Sequence, residues 1–166
     1  MSRKISAGIL LFRDGADGPE VLLAHPGGPF FANRDLGHWT IPKGEPGHDE
    51  DLYRVACREF AEETGNEVEA VASGNVQEAI PLGTVTQASG KVVHAWAIRG
   101  DLDPATSSSN TFEMEWPPGS KQDQVFPEID RVAWFSIDAA RRHANPSQAA
   151  FIDRLVEHLG PGATPQ

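Results

Sequence analysis

The sequence predicts an α+β fold, a layered α/β/α sandwich around a mixed β-sheet, on three observations. Short apolar runs bounded by turn residues dominate the first two thirds of the chain, one strongly helical segment interrupts them, and helical patterns close the sequence. Apolar residues make up 39% of the 166, enough to bury one core, while 16 Gly and 13 Pro demand many turns. One domain is expected over residues 1–160, with 161–166 as a frayed tail.

The elements follow in order. Ile5 to Phe12 ("ISAGILLF") and Glu20 to His25 ("EVLLAH") flank the turn-prone "RDGADGP" and read as two strands joined by a loop. Turn-rich "PGGPFFANRDLGH" leads into a short extended piece, "WTIPKG". A helix is expected from Asp49 to Thr64, with acids at its start, Leu52, Val55, Ala56 and Phe60 at helical spacing, and Gly65 as the stop. Strands over Ala79 to Gln87 and Lys91 to Ile98 are separated by "ASG", a hairpin turn. Asp101 to Pro127 is polar and Pro-rich, a long functional or mobile loop. "DRVAWFSI" supplies a last strand, and Ile137 to His143 and Ser147 to Leu159 close the chain as helices.

A formal net charge of -10 disfavours nonspecific binding of nucleic acid or an anionic membrane. The single cysteine, Cys57, forms no internal disulfide, and the apolar run near the N-terminus is too short for a signal or membrane-spanning segment. A reducing cytoplasm is the expected compartment, and a monomer or homodimer the expected state. Cys57 has no base beside it and reads as packing. The histidines lack metal-ligand spacing. Trp39, Trp96 and Trp134 fall in strand patterns and are assigned to the core.

The helix carries a conflict. On a wheel of about 100° per residue, Glu59 and Glu63 fall inside the stripe set by Leu52, Val55, Ala56 and Phe60, with Arg58 and Glu62 on its flank. Glu59 and Glu63 are also an i,i+4 pair of like charge, near the helix end where the macrodipole disfavours acids. A compensating cation resolves all of these penalties. Carboxylates on adjacent turns suit a hard divalent ion such as Mg²⁺, which would also let an acidic protein accept a polyphosphate. The alternative is a solvated acidic helix end.

The wider spacing decides between them. Gly44, five residues, Glu50, seven residues, then Arg58, Glu59, apolar Phe60, any residue, Glu62, Glu63, any residue and Gly65 matches the Nudix box. Seven such identities at fixed offsets coincide by chance about once in 10⁸ starts. Asn66 departs from the apolar residue of the last position. The chain thus resembles the Nudix hydrolases, and "HPGGPF", "WTIPKGE" and "NTFEMEWPP" resemble a bacterial branch of predicted nucleoside triphosphate pyrophosphohydrolases.

The resemblance implies a Nudix-type α/β/α sandwich and a Mg²⁺- or Mn²⁺-dependent hydrolase of phosphoanhydrides. It assigns metal binding to Glu62 and Glu63, makes Glu59 a further ligand or the base for water, and has Gly44 offer its carbonyl to a metal. Arg58 would orient a neighbouring carboxylate with its fork, and Glu50 would hold loop to helix. Lys43, just before the box, would neutralise phosphate charge. A base or extra ligand from a late loop maps best to Glu128, with Glu113 and Glu115 behind it. For the leaving moiety, Phe112 and Trp116, and also Phe30 and Phe31, sit in loops where an aromatic can stack on a base, or anchor its loop by packing. Nucleoside triphosphates and dinucleoside polyphosphates are the expected substrates. Pro81, fifteen residues past the box, keeps ADP-ribose or nucleotide sugars as the second choice, and a non-catalytic ligand sensor is the rival class.

Overall fold

The computed structural model describes residues 4–160. The chain forms β1 (Ile5–Gly15), β2 (Gly18–Pro26), β3 (Lys43–Gly44), α1 (Leu52–Thr64), α2 (Val68–Val71), β4 (Ile80–Thr86), β5 (Val92–Arg99), β6 (Thr111–Glu115), β7 (Asp123–Pro127), β8 (Ile129–Ser136), α3 (Ile137–His143) and α4 (Ala149–Leu159). The main sheet runs β4-β5-β1-β2-β8. Its centre, β1, is parallel to β5 and antiparallel to β2, which makes the sheet mixed. The start of β1 pairs with β3, at Ala7 with Gly44 and Gly8 with Lys43.

Alternation along β1 builds the two cores. Ala7, Ile9 and Leu11 point to the α1 layer, where they meet Val55, Ala56 and Phe60. Leu10 and Phe12 point the other way, toward Phe151, Ile152 and Leu155 of α4 and Ile137 and Ala140 of α3. A strand covered on both faces must be apolar throughout, which is why "ISAGILLF" shows no polar alternation. The α/β/α layering agrees with the sequence. No helix among the described residues is long and apolar enough to cross a membrane.

Three expectations need correction. The segment 101–127 is not one long loop: β6 and β7 form a two-stranded hairpin, with Phe112 opposite Phe126 and Met114 opposite Gln124. Its strands pair only with each other and are mostly exposed, so their weak alternation was masked by polar residues. Helix α1 begins at Leu52 rather than Asp49, because Asp49 is left-handed at φ 56° and the Asp51 carboxylate caps the helix by accepting the Arg54 N–H at 3.2 Å. At the far end, 146–148 form a 3₁₀ turn and α4 starts at Ala149. The proposed tail, 161–166, lies outside the described residues.

Candidate active site

The acidic end of α1 is held from three directions. Gly65, at φ 73°, closes the helix by donating its N–H to the Ala61 carbonyl at 2.8 Å, a backbone state that favours glycine. The next free carbonyls are taken by the extended strap ahead of β6: the N–H groups of Ser108 and Asn110 donate to Thr64 and Glu62, both at 3.0 Å. The Asn110 carbonyl then accepts the Glu128 N–H at 2.8 Å, and the Glu128 carbonyl accepts the Gly27 N–H at 2.9 Å. Backbone bonds thus run from the helix end to Glu128.

These elements enclose a cleft of about 530 Å³. Into it come Glu59, Glu62 and Glu63 from α1, Glu128 from just ahead of β8, and Lys43 and Gly44 from β3. Ser6 of β1 and Lys91, before β5, border the same space. The acids of the box and the late-loop acid, 65 or more residues apart in sequence, therefore meet in one place.

Electrostatics in the cleft are strained. Burial pushes the Glu63 carboxyl up to about 8, although it accepts the Lys43 N–H at 3.0 Å and lies near the Lys43 ammonium. Glu59 is raised as well, by burial first and then by the charge of Glu62, against the pull of Arg58. Burial lowers the Lys43 ammonium, and the charge of Lys91 adds to this. The carboxyls of Glu59 and Glu63 and the ammonium of Lys43 are thus held in environments that disfavour their charges.

Arg58 is the local counter-ion. Its Nε and Nη2 grip both oxygens of Glu50 at 3.1 and 2.9 Å, and its Nη1 reaches Glu59 at 2.9 Å and Glu62 at 3.2 Å. Glu50 also accepts the Gly47 N–H at 2.5 Å, so it joins the loop to the helix through Arg58. Glu63 is not among the carboxylates that Arg58 bonds and instead accepts the Lys43 N–H.

The residues fit a hard divalent cation. Five carboxylates border the cleft, two of them, Glu59 and Glu63, with raised pKa values that a cation would reverse, and their donor atoms are all oxygens. Gly44 faces Glu59 so closely that an added Cβ would run into its carboxyl group. Among the described residues no three acidic, imidazole or thiol groups already converge on one ion-sized centre, and Arg58 holds Glu59 and Glu62. Gly44→Ala is expected to push Glu59 aside and cut turnover about 100-fold with little loss of melting temperature, since the displaced group is the end of a flexible side chain. Steady-state kinetics beside a thermal melt checks this.

Other candidates lie elsewhere. Phe112 stands over Gly28 and against Phe126, with ring centres 5.9 Å apart, and Trp116 meets Phe30 edge-on at 5.5 Å; neither borders the cleft. Phe31 is exposed beside His38. Glu113 and Glu115 do not border the cleft, and Glu115 instead accepts the Lys121 N–H at 2.7 Å within the hairpin turn. Pro81 sits on edge strand β4 at a register shift, also outside the cleft. Trp39 is buried, and Trp96 and Trp134 pack partly buried against the α1-side core. Cys57 is half-buried, with its thiol pushed up by burial.

Sequence reasoning missed Ser6, Glu45, Lys91, Asn110 and Thr111 as cleft residues. The parallel pairing of β1 with β5, which sets Ile5 beside Val92, is what brings Ser6 and Lys91 to one edge. Strand order is not written in a local pattern. His25 was also assigned nothing, yet it is fully buried, with Nδ1 2.8 Å from Asp130 and Nε2 2.6 Å from the Arg34 carbonyl. It pins the turn-rich loop after β2 to the start of β8.

Known proteins share this fold. The structure is similar to an Ap4A hydrolase of C. elegans in a binary complex, at 21% identity and TM-score 0.65, covering 93% of this chain and 97% of that one. It is also similar to the NUDIX domain of Shewanella oneidensis NrtR complexed with ADP ribose, at 18% identity and TM-score 0.63, covering 96% and 90%. A Nudix hydrolase from M. smegmatis, RenU, matches at 21% identity and TM-score 0.58, covering 95% and 86%. No curated protein matches in sequence. At these identities the solved structures speak for the fold, whereas the NUDIX domain model matches residues 2–155, nearly the whole chain. With the box carboxylates gathered on one helix end, the chain belongs to the NUDIX domain family.

Proposed function

We propose that the protein hydrolyses a phosphoanhydride in a nucleoside diphosphate linked to another group, most favourably a nucleoside triphosphate or dinucleoside polyphosphate. One observation carries this reading: five carboxylates, Glu45, Glu59, Glu62, Glu63 and Glu128, and two lysines border a single cleft. The carboxylates supply ligands for Mg²⁺ or Mn²⁺, and the lysines supply fixed positive charge for phosphate oxygens.

When bound, the divalent ion would neutralise phosphate charge and favour ionisation of water. The chain's own residues do the rest. Glu62 and Glu63 would hold the ion with Gly44 beside them, and Glu59 or Glu128 takes the proton from the attacking water. Arg58 keeps Glu59 and Glu62 turned into the cleft, and Lys43 holds the departing phosphate. The similarity to an Ap4A hydrolase supports a dinucleoside polyphosphate.

The similarity to an ADP-ribose complex favours a second reading, an ADP-ribose or nucleotide-sugar pyrophosphatase, or a sensor that binds without cleaving. Product release from triphosphates, dinucleoside polyphosphates and nucleotide sugars, with and without Mg²⁺, separates these. The expected result is Mg²⁺-dependent turnover of a polyphosphate that Glu62→Gln lowers about 10³-fold or more. Tight binding without turnover of any compound would replace the enzyme by the sensor.

A further inference from the structure

We propose that the Ser6 hydroxyl is a phosphate-binding donor acting with Lys43 and Lys91, so that the cleft selects substrates with at least three linked phosphates. This rests on the hydrolase reading above and names the substrate class of the same site.

Ser6 is fully buried, and its Oγ is the one buried side-chain polar atom among the described residues without a hydrogen-bond partner. Other buried polar side chains are satisfied: Thr64 donates to the Phe60 carbonyl at 2.7 Å, Gln148 accepts the Ile41 N–H at 2.9 Å, and His25 has two partners. An orphaned buried hydroxyl costs about 1–3 kcal/mol. The fold alone gains nothing from the oxygen. A ligand that enters the cleft would complete it.

The neighbours say what kind of ligand. Ser6 pairs with Val93, two residues from Lys91, in the β1–β5 register, while the adjoining Ala7 and Gly8 pair with Gly44 and Lys43. It therefore lies between the two strand ends that bring ammonium groups to the cleft. Lys91 has one acidic contact, Glu45 at 3.5 Å, and the carboxylates of α1 are engaged by Arg58 or by the Lys43 N–H. Two ammoniums and a hydroxyl donor form an anion-binding group beside the carboxylates of α1 in the same cleft. The acids that would hold a divalent ion serve the scissile anhydride, which leaves this group to bind the next phosphate along.

The test is calorimetric binding of two non-hydrolysable probes, inorganic imidotriphosphate and imidodiphosphate, in Mg²⁺, to wild type, Ser6→Ala and Lys91→Ala. Wild type should prefer imidotriphosphate. Ser6→Ala should weaken that probe about 10-fold and imidodiphosphate hardly at all, while melting at the same or a higher temperature in the absence of ligand. Equal binding of imidotriphosphate by wild type and Ser6→Ala, as expected if the hydroxyl holds only a water, overturns the proposal. So does equal affinity of wild type for the two probes. Turnover on the nucleotide panel reads independently, so an inactive protein that still discriminates the probes would sink the hydrolase reading and leave the Ser6 subsite standing.

Discussion

Glu63→Gln is expected to lower turnover about 10³-fold and, in the same variant, to raise the melting temperature of the metal-free protein by roughly 5–10 °C at pH 8. The two effects share a cause. Burial raises the Glu63 carboxyl from 4.5 to about 8, so between those values the native protein binds a proton that the unfolded chain has released. Stability therefore falls as pH rises through this window, with a total on the order of 2–4 kcal/mol. Gln has no charge to bury, so the variant should match wild type near pH 4.5 and exceed it increasingly toward pH 8. Mg²⁺ should restore wild type at alkaline pH and leave the variant unmoved. Melts across pH with and without Mg²⁺ check this, and a wild-type curve indifferent to metal would remove Glu63 from the ligand set.

Arg58→Gln should be the second most damaging change. It removes a guanidinium that bonds Glu50, Glu59 and Glu62 together, leaving three carboxylates without their shared counter-ion. The expected cost is about 1 kcal/mol of stability, since the network is partly exposed and screened, and about 10²-fold in turnover, since Glu59 and Glu62 lose their orientation. Arg58→Lys keeps the charge but cannot grip both Glu50 oxygens, so it should recover less than half of the stability. Raised Mg²⁺ should rescue stability more than turnover, because an ion can replace the charge and not the geometry. Equal rescue of both would assign Arg58 to charge alone.

The parts of this molecule that sequence made legible are those governed by local spacing. Leu52, Val55, Ala56 and Phe60 announce the helix, and the acids among them announce that its end is not built for stability. Glu59, Glu62, Glu63, Lys43, Gly44 and Glu128 all reach the cleft, although only the box residues were fixed by a pattern. Ser6 and Lys91 depend on which strands lie side by side, a long-range matter that neither segment records. Phe112 and Trp116 were attractive as exposed-loop aromatics, but the loop was a hairpin, and pairing with Phe126 and Phe30 gives each ring a partner of its own. An isolated hairpin of half-exposed residues leaves too faint a period to distinguish it from loop.

The strap that caps α1 has a consequence for how such a protein can change. Asn110 and Glu128 are bonded to each other at the mouth of the hairpin, and each is separately anchored, one to the helix end and the other to Gly27. Residues 112–126 therefore hang from a closed clasp, outside the chain of bonds that sets the carboxylates. That stretch is a natural graft point: its length and side chains can be exchanged to meet a different leaving group, while the hydrolytic centre keeps its register.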